Sequence, residues 1–276
     1  AKKKIYIYYI AISVAIFGDP SKVNYVLTSS RSRFPLLAGG EVDLLSRMTT
    51  WTFSRDVNLG FEFTDINFYD GQSFMYDTSL NIENAVDFDG SSICLISGST
   101  MEYNVKSFFD KNNISYNPIL VEFDDEAYES FISGRCDIYT HYITELSRKR
   151  IIINNTNQYS IYSDLISKEP LGILVRQGDD HWRDIVSWCF KVMVIAEEFN
   201  ITSFNIDEFT ESDSNEISSL LGVNSGFGDM IELDEYWSYN IIKLIGNYAE
   251  VYDKNFGPKT IVNLRRGLNN LYTNNG

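Results

Sequence analysis

Histidine and cysteine are scarce in this chain of 276 residues: two histidines (His141 and His181) and three cysteines (Cys94, Cys136 and Cys189). So few, without metal-ligand spacing, exclude a zinc site, a Cys–His catalytic pair and a disulfide-dense scaffold. Neither a cofactor nor a metal is expected. No run of about 18 uninterrupted apolar residues occurs, which excludes a conventional membrane-spanning helix. Positive charge is in deficit, with 23 Lys+Arg against 38 Asp+Glu and a formal net charge of −15. Phosphate contacts need clustered cations, so nucleic acid is excluded as a partner. The common enzyme signatures are missing too: there is no G-x-S-x-G, no H-E-x-x-H and no G-x-G-x-x-G after a strand.

What is present reads as a globular protein. Hydrophobic residues make up 44% of the chain and charged residues 22%, outside the disordered range. The length suits one large domain or two lobes with a core each. The 18 Tyr, 18 Phe and 4 Trp supply ample apolar area to fill them.

The basic cluster Ala1–Lys4 followed by the apolar run Ile5–Phe17 resembles the start of a secretory signal. Tyrosines and a serine interrupt the run, and no A-x-A-like cleavage site follows. Gly18-Asp19-Pro20 instead has the form of a helix stop, so a buried helix or strand is expected there. Export is not established by these residues.

Strand-like runs then alternate with helical periodicity, which predicts α/β architecture. Strands are expected at Lys22–Leu27, Glu41–Ser46, Ser91–Ser97, Pro118–Phe123 and Cys136–Thr140. Helices are expected at Arg33–Gly39, Glu102–Asn112 and Asp124–Ser133. The clearest helix begins at Asp179-Asp180, whose carboxylates suit a cap. Its stripe runs through Trp182, Ile185, Val186, Cys189, Val192, Met193 and Ala196, and places Trp182 and Trp188 in the core. A second stripe passes through Trp237, Ile241, Leu244, Ile245 and Tyr248. Asp124-Asp125 is read as a second helix cap. If the runs holding Cys94 and Cys136 are neighbours, the two form a disulfide in an oxidising compartment; otherwise all three cysteines are small buried hydrophobes.

Two constellations suit recognition of a small carboxylate. The first is Ser46-Arg47-Met48-Thr49-Thr50-Trp51-Thr52-Phe53-Ser54-Arg55, after an apolar strand, where hydroxyls accompany a planar guanidinium fork. A polar loop with a salt-bridged arginine is the simpler alternative. The second is Gly98-Ser99-Thr100 at a strand-to-helix turn, where free N–H groups attract anions; such turns are common. His141 and Glu102 are the only candidates for acid–base chemistry, and no nucleophile accompanies them.

Collinear stretches across the chain carry a resemblance. They are AIFGDPSKV (15–23), GGEVDLLSRMTTWTFSRD (39–56), YDGQSFM (69–75), GRCDIYT (134–140), SKEPLGILVRQGDD (167–180), IIKLIGNYAEVYDKNFGP (241–258) and RGLNNLYT (266–273). Together they resemble the solute-binding proteins of ABC importers, specifically the general L-amino-acid-binding family. The resemblance implies a two-lobed, type II periplasmic-binding-protein-like α/β fold with a helical C-terminal extension. Lobe 1 would hold 1–78 and 167–276, and lobe 2 would hold 79–166. It also implies a monomeric, non-enzymatic periplasmic protein that closes on a free L-amino acid in the cleft and docks on a permease in the inner membrane.

Position by position, Arg55 resembles the family's carboxylate-binding arginine and Thr50 and Thr52 its strand-end hydroxyls. Ser99 and Thr100 resemble the contacts from the second lobe. Three departures stand out. Tyr142 occupies the position of the family's ammonium-accepting Asp, which would cost about 2–5 kcal/mol. Met48 replaces an Asn. Only fourteen residues precede AIFGDP, where the family has about fifty more, including the first strand, so lobe 1 is expected to be incomplete at its N-terminus, with Ala1–Ile10 substituting as an irregular strand. A shortened, weakly binding member is the alternative to a functional importer component, and a dehydratase-like enzyme on the same scaffold is the third reading.

Overall fold

The computed structural model describes residues 7–153, 157–223 and 227–276. The chain divides into two compact units. The first comprises 1–26, 42–68 and 171–276, and the second 27–41 and 69–170. The division therefore falls at 68/69 and 170/171, where the sequence reading sets 78/79 and 166/167, and residues 27–41 group with the second unit.

In the first unit, helix α1 (Ile7–Phe17) takes up the apolar N-terminal run. Ala11, Ile12, Val14 and Ala15 are all buried, because a helix apolar on every side must sit inside. It ends where Gly18, at φ +63, donates its N–H to the Val14 carbonyl at 2.9 Å. The helical alternative of the sequence reading thus holds for residues 7–17, and Ile7–Ile10 form no irregular strand; Ala1–Tyr6 lie outside the described residues. The strand expected at Lys22–Leu27 is also absent. Tyr25, Val26 and Leu27 are exposed, and neither sheet pairs with them, so their backbone has no ladder to join.

A three-stranded sheet follows, in the order β1 (Leu45–Thr50), β8 (Glu169–Arg176), β2 (Phe61–Asp70). Strand β1 lies four residues later than its pattern suggested, because its antiparallel register with β8 pairs Thr49 with Gly172 and Thr50 with Leu171. The register slips between Leu45 and Thr49, and Met48 sits there at φ +36. That is the left-handed region asparagine tolerates better than methionine, which accounts physically for the asparagine expected at this position. Helix α2 (Arg33–Ala38) belongs to the second unit and α3 (Phe53–Asn58) to the first.

The rest of the first unit is helical: α7 (Asp180–Glu198), α8 (Asn215–Leu220), α9 (Phe227–Met230), α10 (Trp237–Ile245) and α11 (Tyr248–Asn255). The Asp179 carboxylate accepts the Trp182 N–H at 2.9 Å and starts α7. Its stripe packs on α1 and α10 around Val186, Met193 and Ile241, all fully buried. Two corrections arise here. Trp188, expected in the core, is 43% exposed. The second stripe is two helices, since Gly246 at φ +103 breaks the chain between α10 and α11 and Leu244 faces outward.

The second unit carries a five-stranded mixed sheet in the order β5 (Tyr116–Val121), β4 (Ser91–Ile96), β6 (Ile138–Tyr142), β3 (Gln72–Asp77), β7 (Tyr159–Ile161). Strand β4 runs parallel to β5 and β6, while β3 runs antiparallel to β6 and β7. Helices α4 (Thr100–Asn112), α5 (Asp124–Ile132) and α6 (Ile143–Ile152) accompany them. The core is aromatic: Phe74, Phe88 and Phe109 are fully buried and meet at tilted or edge-on angles. A disulfide joins Cys94 and Cys136, with Cα atoms 5.8 Å apart. Cys189 is free and buried in the first unit, and that burial pushes its thiol pKa up. Among the described residues, no helix is long and apolar enough to cross a membrane.

Candidate binding site

In the first unit, three of the residues singled out from the sequence come together. Strand β1 ends at Thr50, and Thr52, in extended conformation, caps α3: its Oγ1 accepts the Arg55 N–H at 3.4 Å. That cap turns Arg55 back, and its Nη1 donates to the Thr50 carbonyl at 2.9 Å. Trp51 between them stacks on Phe63 with centroids 5.0 Å apart, which holds the strand end in place. Arg55 is only 8% exposed. A desolvated guanidinium attracts a carboxylate far more strongly than one in water.

In the second unit, β4 runs through Gly98 into α4. Gly98 has φ +73, and a Cβ there would meet the Arg31 side chain at 2.9 Å, so the turn requires glycine. The Ser99 hydroxyl donates to the Ile96 carbonyl at 2.6 Å and makes no side-chain cap at the start of α4. Arg31 approaches the same turn, its Nη2 2.5 Å from the Ser97 hydroxyl. Thr100 Oγ1 donates to Glu169 Oε2 at 3.4 Å, so a carboxylate of the chain itself meets this hydroxyl. Glu169 is fully buried and also accepts from Ser167 Oγ at 2.5 Å and Asn104 Nδ2 at 2.6 Å. Asn104 also donates to Gln72 Oε1 at 2.9 Å, and Gln72 Nε2 donates to Thr140 Oγ1 at 2.8 Å. Gln72 pairs with Tyr142 across the β3–β6 ladder, so this polar chain links the Thr100 turn to the Tyr142 position. Tyr142 is buried beside the His141 ring, 5.2 Å away.

Sequence reasoning missed Asp70, Gln72, Asn104 and Glu169. The stretches YDGQSFM and SKEPLG contain three of them, yet nothing in a linear pattern says that their polar groups are buried.

The His141 Nε2 lies 3.4 Å from Asp124, and Glu102 accepts the Gly98 N–H at 3.4 Å. Asp124, read as a cap, does something else. Burial opposes its ionisation, but His141 and Lys149 beside it and the Tyr139 hydroxyl hold its carboxyl below the usual range.

Asp70 goes the other way. Burial, reinforced by Glu169, pushes its carboxyl up to about 7 despite hydrogen bonds from Thr144 and Gly71. A raised folded-state pKa means that the folded chain retains a proton the unfolded chain has lost, from about pH 4 to about pH 7. Stability contributed by protonated Asp70 is therefore lost as pH rises through that window. Urea unfolding of wild type and Asp70→Asn between pH 4.5 and 7.5 is expected to show wild type losing on the order of 3 kcal/mol relative to the variant. Identical pH slopes would show that Asp70 titrates normally.

No family model matches the chain. It is 42% identical over 268 residues to the general L-amino acid-binding periplasmic protein AapJ of Rhizobium johnstonii, covering 96% of this chain and 79% of that one. It is 43% identical over 267 residues, with the same coverage, to the glutamate/glutamine/aspartate/asparagine-binding protein BztA of Rhodobacter capsulatus. A solved ABC transporter periplasmic binding protein from Brucella ovis, with glutathione bound, superposes with a TM-score of 0.94. It is 41% identical, and the match covers 98% of this chain and 85% of that one. An ancestral arginine-binding protein, 22% identical with a TM-score of 0.59 over 70% of this chain and 81% of its own, shares the fold. The α/β fold is that of the type II periplasmic binding proteins. With this identity sustained over nearly its whole length, the chain belongs to the family of amino-acid-binding periplasmic proteins of ABC transporters.

Proposed function

We propose that this protein binds a free L-amino acid in the periplasm and delivers it to the membrane permease of an ABC importer, with no covalent chemistry. The observation that carries this reading is the 42–43% identity, over 96% of the chain, to proteins named for binding amino acids. In this reading Arg55, with Thr50 and Thr52, takes the α-carboxylate, and Ser99 and Thr100 contribute further ligand contacts. The Cys94–Cys136 disulfide supports an oxidising compartment such as the periplasm.

A thermal-shift panel of the twenty amino acids tests it. A ligand at a thousandfold excess over Kd stabilises by about 4 kcal/mol. A flat panel favours a member that keeps the fold without binding, and conversion of a stabilising ligand would revive the enzyme reading. Glutathione belongs in the panel, because the Brucella ovis neighbour holds it and its γ-glutamyl end presents a free α-amino and α-carboxylate pair. A larger shift with glutathione than with glutamate would favour a peptide ligand.

Tyr142 offers a second check. A phenol brings no charge to an ammonium, so Tyr142→Asp is expected to tighten amino-acid binding about 30-fold, read by calorimetric titration. Unchanged affinity in a folded variant would remove position 142 from the site.

A further inference from the structure

The helical part of the first unit contains a cavity of about 610 Å³ among α7, α8, α9 and α10. That volume lies in the range of small-molecule pockets. Its inner wall is apolar and well buried: Val192, Leu220 and Trp237 are each less than a tenth exposed. Large apolar side chains also line it while facing solvent, with Trp188 43% and Met230 73% exposed. Trp188 lies off the buried stripe of α7, and its exposed side chain borders this cavity.

The charge of the lining is one-sided. Glu216 and Glu235 are its ionisable groups among the described residues, and no Lys or Arg lines it. Lys191 lies 5.2 Å from the Trp188 ring but is not part of the lining, and its ammonium is 3.8 Å from Asp65. Asn215, Ser219 and Ser238 add neutral polar groups. An apolar cavity with two carboxylates, on a chain of net charge −15, disfavours anions and suits an apolar body carrying a positive charge. Trp188 and Trp237 add aromatic surface to the lining, although Lys191 already lies over the Trp188 ring.

We propose that this cavity binds small aromatic amines. The site uses none of Thr50, Thr52, Arg55, Ser99, Thr100 or Tyr142, so it goes beyond the amino-acid reading and does not depend on it.

The test uses 3,3-diphenylpropylamine and its charge-reversed counterpart, 3,3-diphenylpropionate, titrated into the full chain by calorimetry. The amine is expected to bind with a dissociation constant on the order of 100 µM, the affinity usual for about 16 ligand heavy atoms. The carboxylate is expected to bind at least about tenfold more weakly. The double variant Glu216→Gln/Glu235→Gln, altered at the cavity rim, is expected to weaken the amine about fivefold and narrow its advantage over the carboxylate. Ser219→Phe, which places a ring in the cavity, is expected to abolish binding of both. Arg55→Ala is expected to bind the amine as wild type does, which separates this site from the one proposed for amino acids. Equal binding of amine and carboxylate, no amine binding at millimolar concentration, or full binding by a folded Ser219→Phe variant would overturn the proposal.

Discussion

Arg55→Ala is expected to weaken amino-acid binding by about 100-fold or more, a loss of about 3 kcal/mol. The size follows from where the guanidinium sits. Arg55 is 8% exposed and anchored by its Nη1 on the Thr50 carbonyl, so the desolvation of the cation is already met in the folded chain. A ligand carboxylate arriving there gains a partner that needs little reordering, whereas in the alanine variant it is desolvated with nothing opposite. Arg55→Lys separates charge from geometry. Lysine keeps the charge but loses the fork that meets both carboxylate oxygens, and an intermediate loss of about tenfold is expected. Both variants are compared with wild type by calorimetric titration of whichever amino acid the thermal-shift panel selects, after circular dichroism confirms that they fold. Wild-type affinity in Arg55→Ala would place the carboxylate elsewhere.

The disulfide carries the second large effect. Cys94 and Cys136 close a loop with a sequence separation of 42, and both are buried in the second unit. On the chain-entropy view, opening a loop of that length costs about 4 kcal/mol. The double variant Cys94→Ala/Cys136→Ala, or wild type under reducing conditions, is therefore expected to unfold at distinctly lower urea. The chain supplies its own control. All four tryptophans, Trp51, Trp182, Trp188 and Trp237, lie in the first unit, so their emission reports that unit alone. Far-UV circular dichroism reports both. The circular dichroism transition is expected to move earlier and separate from the tryptophan transition. Superimposed curves for wild type and variant would show that the bridge adds no stability.

The family and helices α2, α4, α5 and α7 were legible without coordinates because their signals are local or collinear. Helix α7 follows from apolar residues at three- and four-residue steps and a capping aspartate, and its stripe is buried apart from the half-buried Trp182. Strands β4, β5 and β6 lie within two residues of their expected bounds, since each contains a short apolar run, although β4 and β6 are buried and β5, at the sheet edge, is largely exposed. The Arg55 and Thr100 segments stand out as candidates for the same reason: hydroxyls and a guanidinium cluster within ten residues, or at one turn.

Other features depend on what lies beside a residue, and only the tertiary structure decided them. Lys22–Leu27 has a strand's composition but no partner ladder, and β1 took its position from its register with β8. The bridge between Cys94 and Cys136 required β4 and β6 to be neighbours, which the sequence left open. Burial lifted Asp70 and gathered Glu169, Asn104 and Gln72 into one polar chain. Trp188 borders a cavity among the helices and is 43% exposed, outside the core. Periodicity records which side of an element is apolar; desolvation, pairing and enclosure are properties of several elements at once, and no single stretch of sequence contains them.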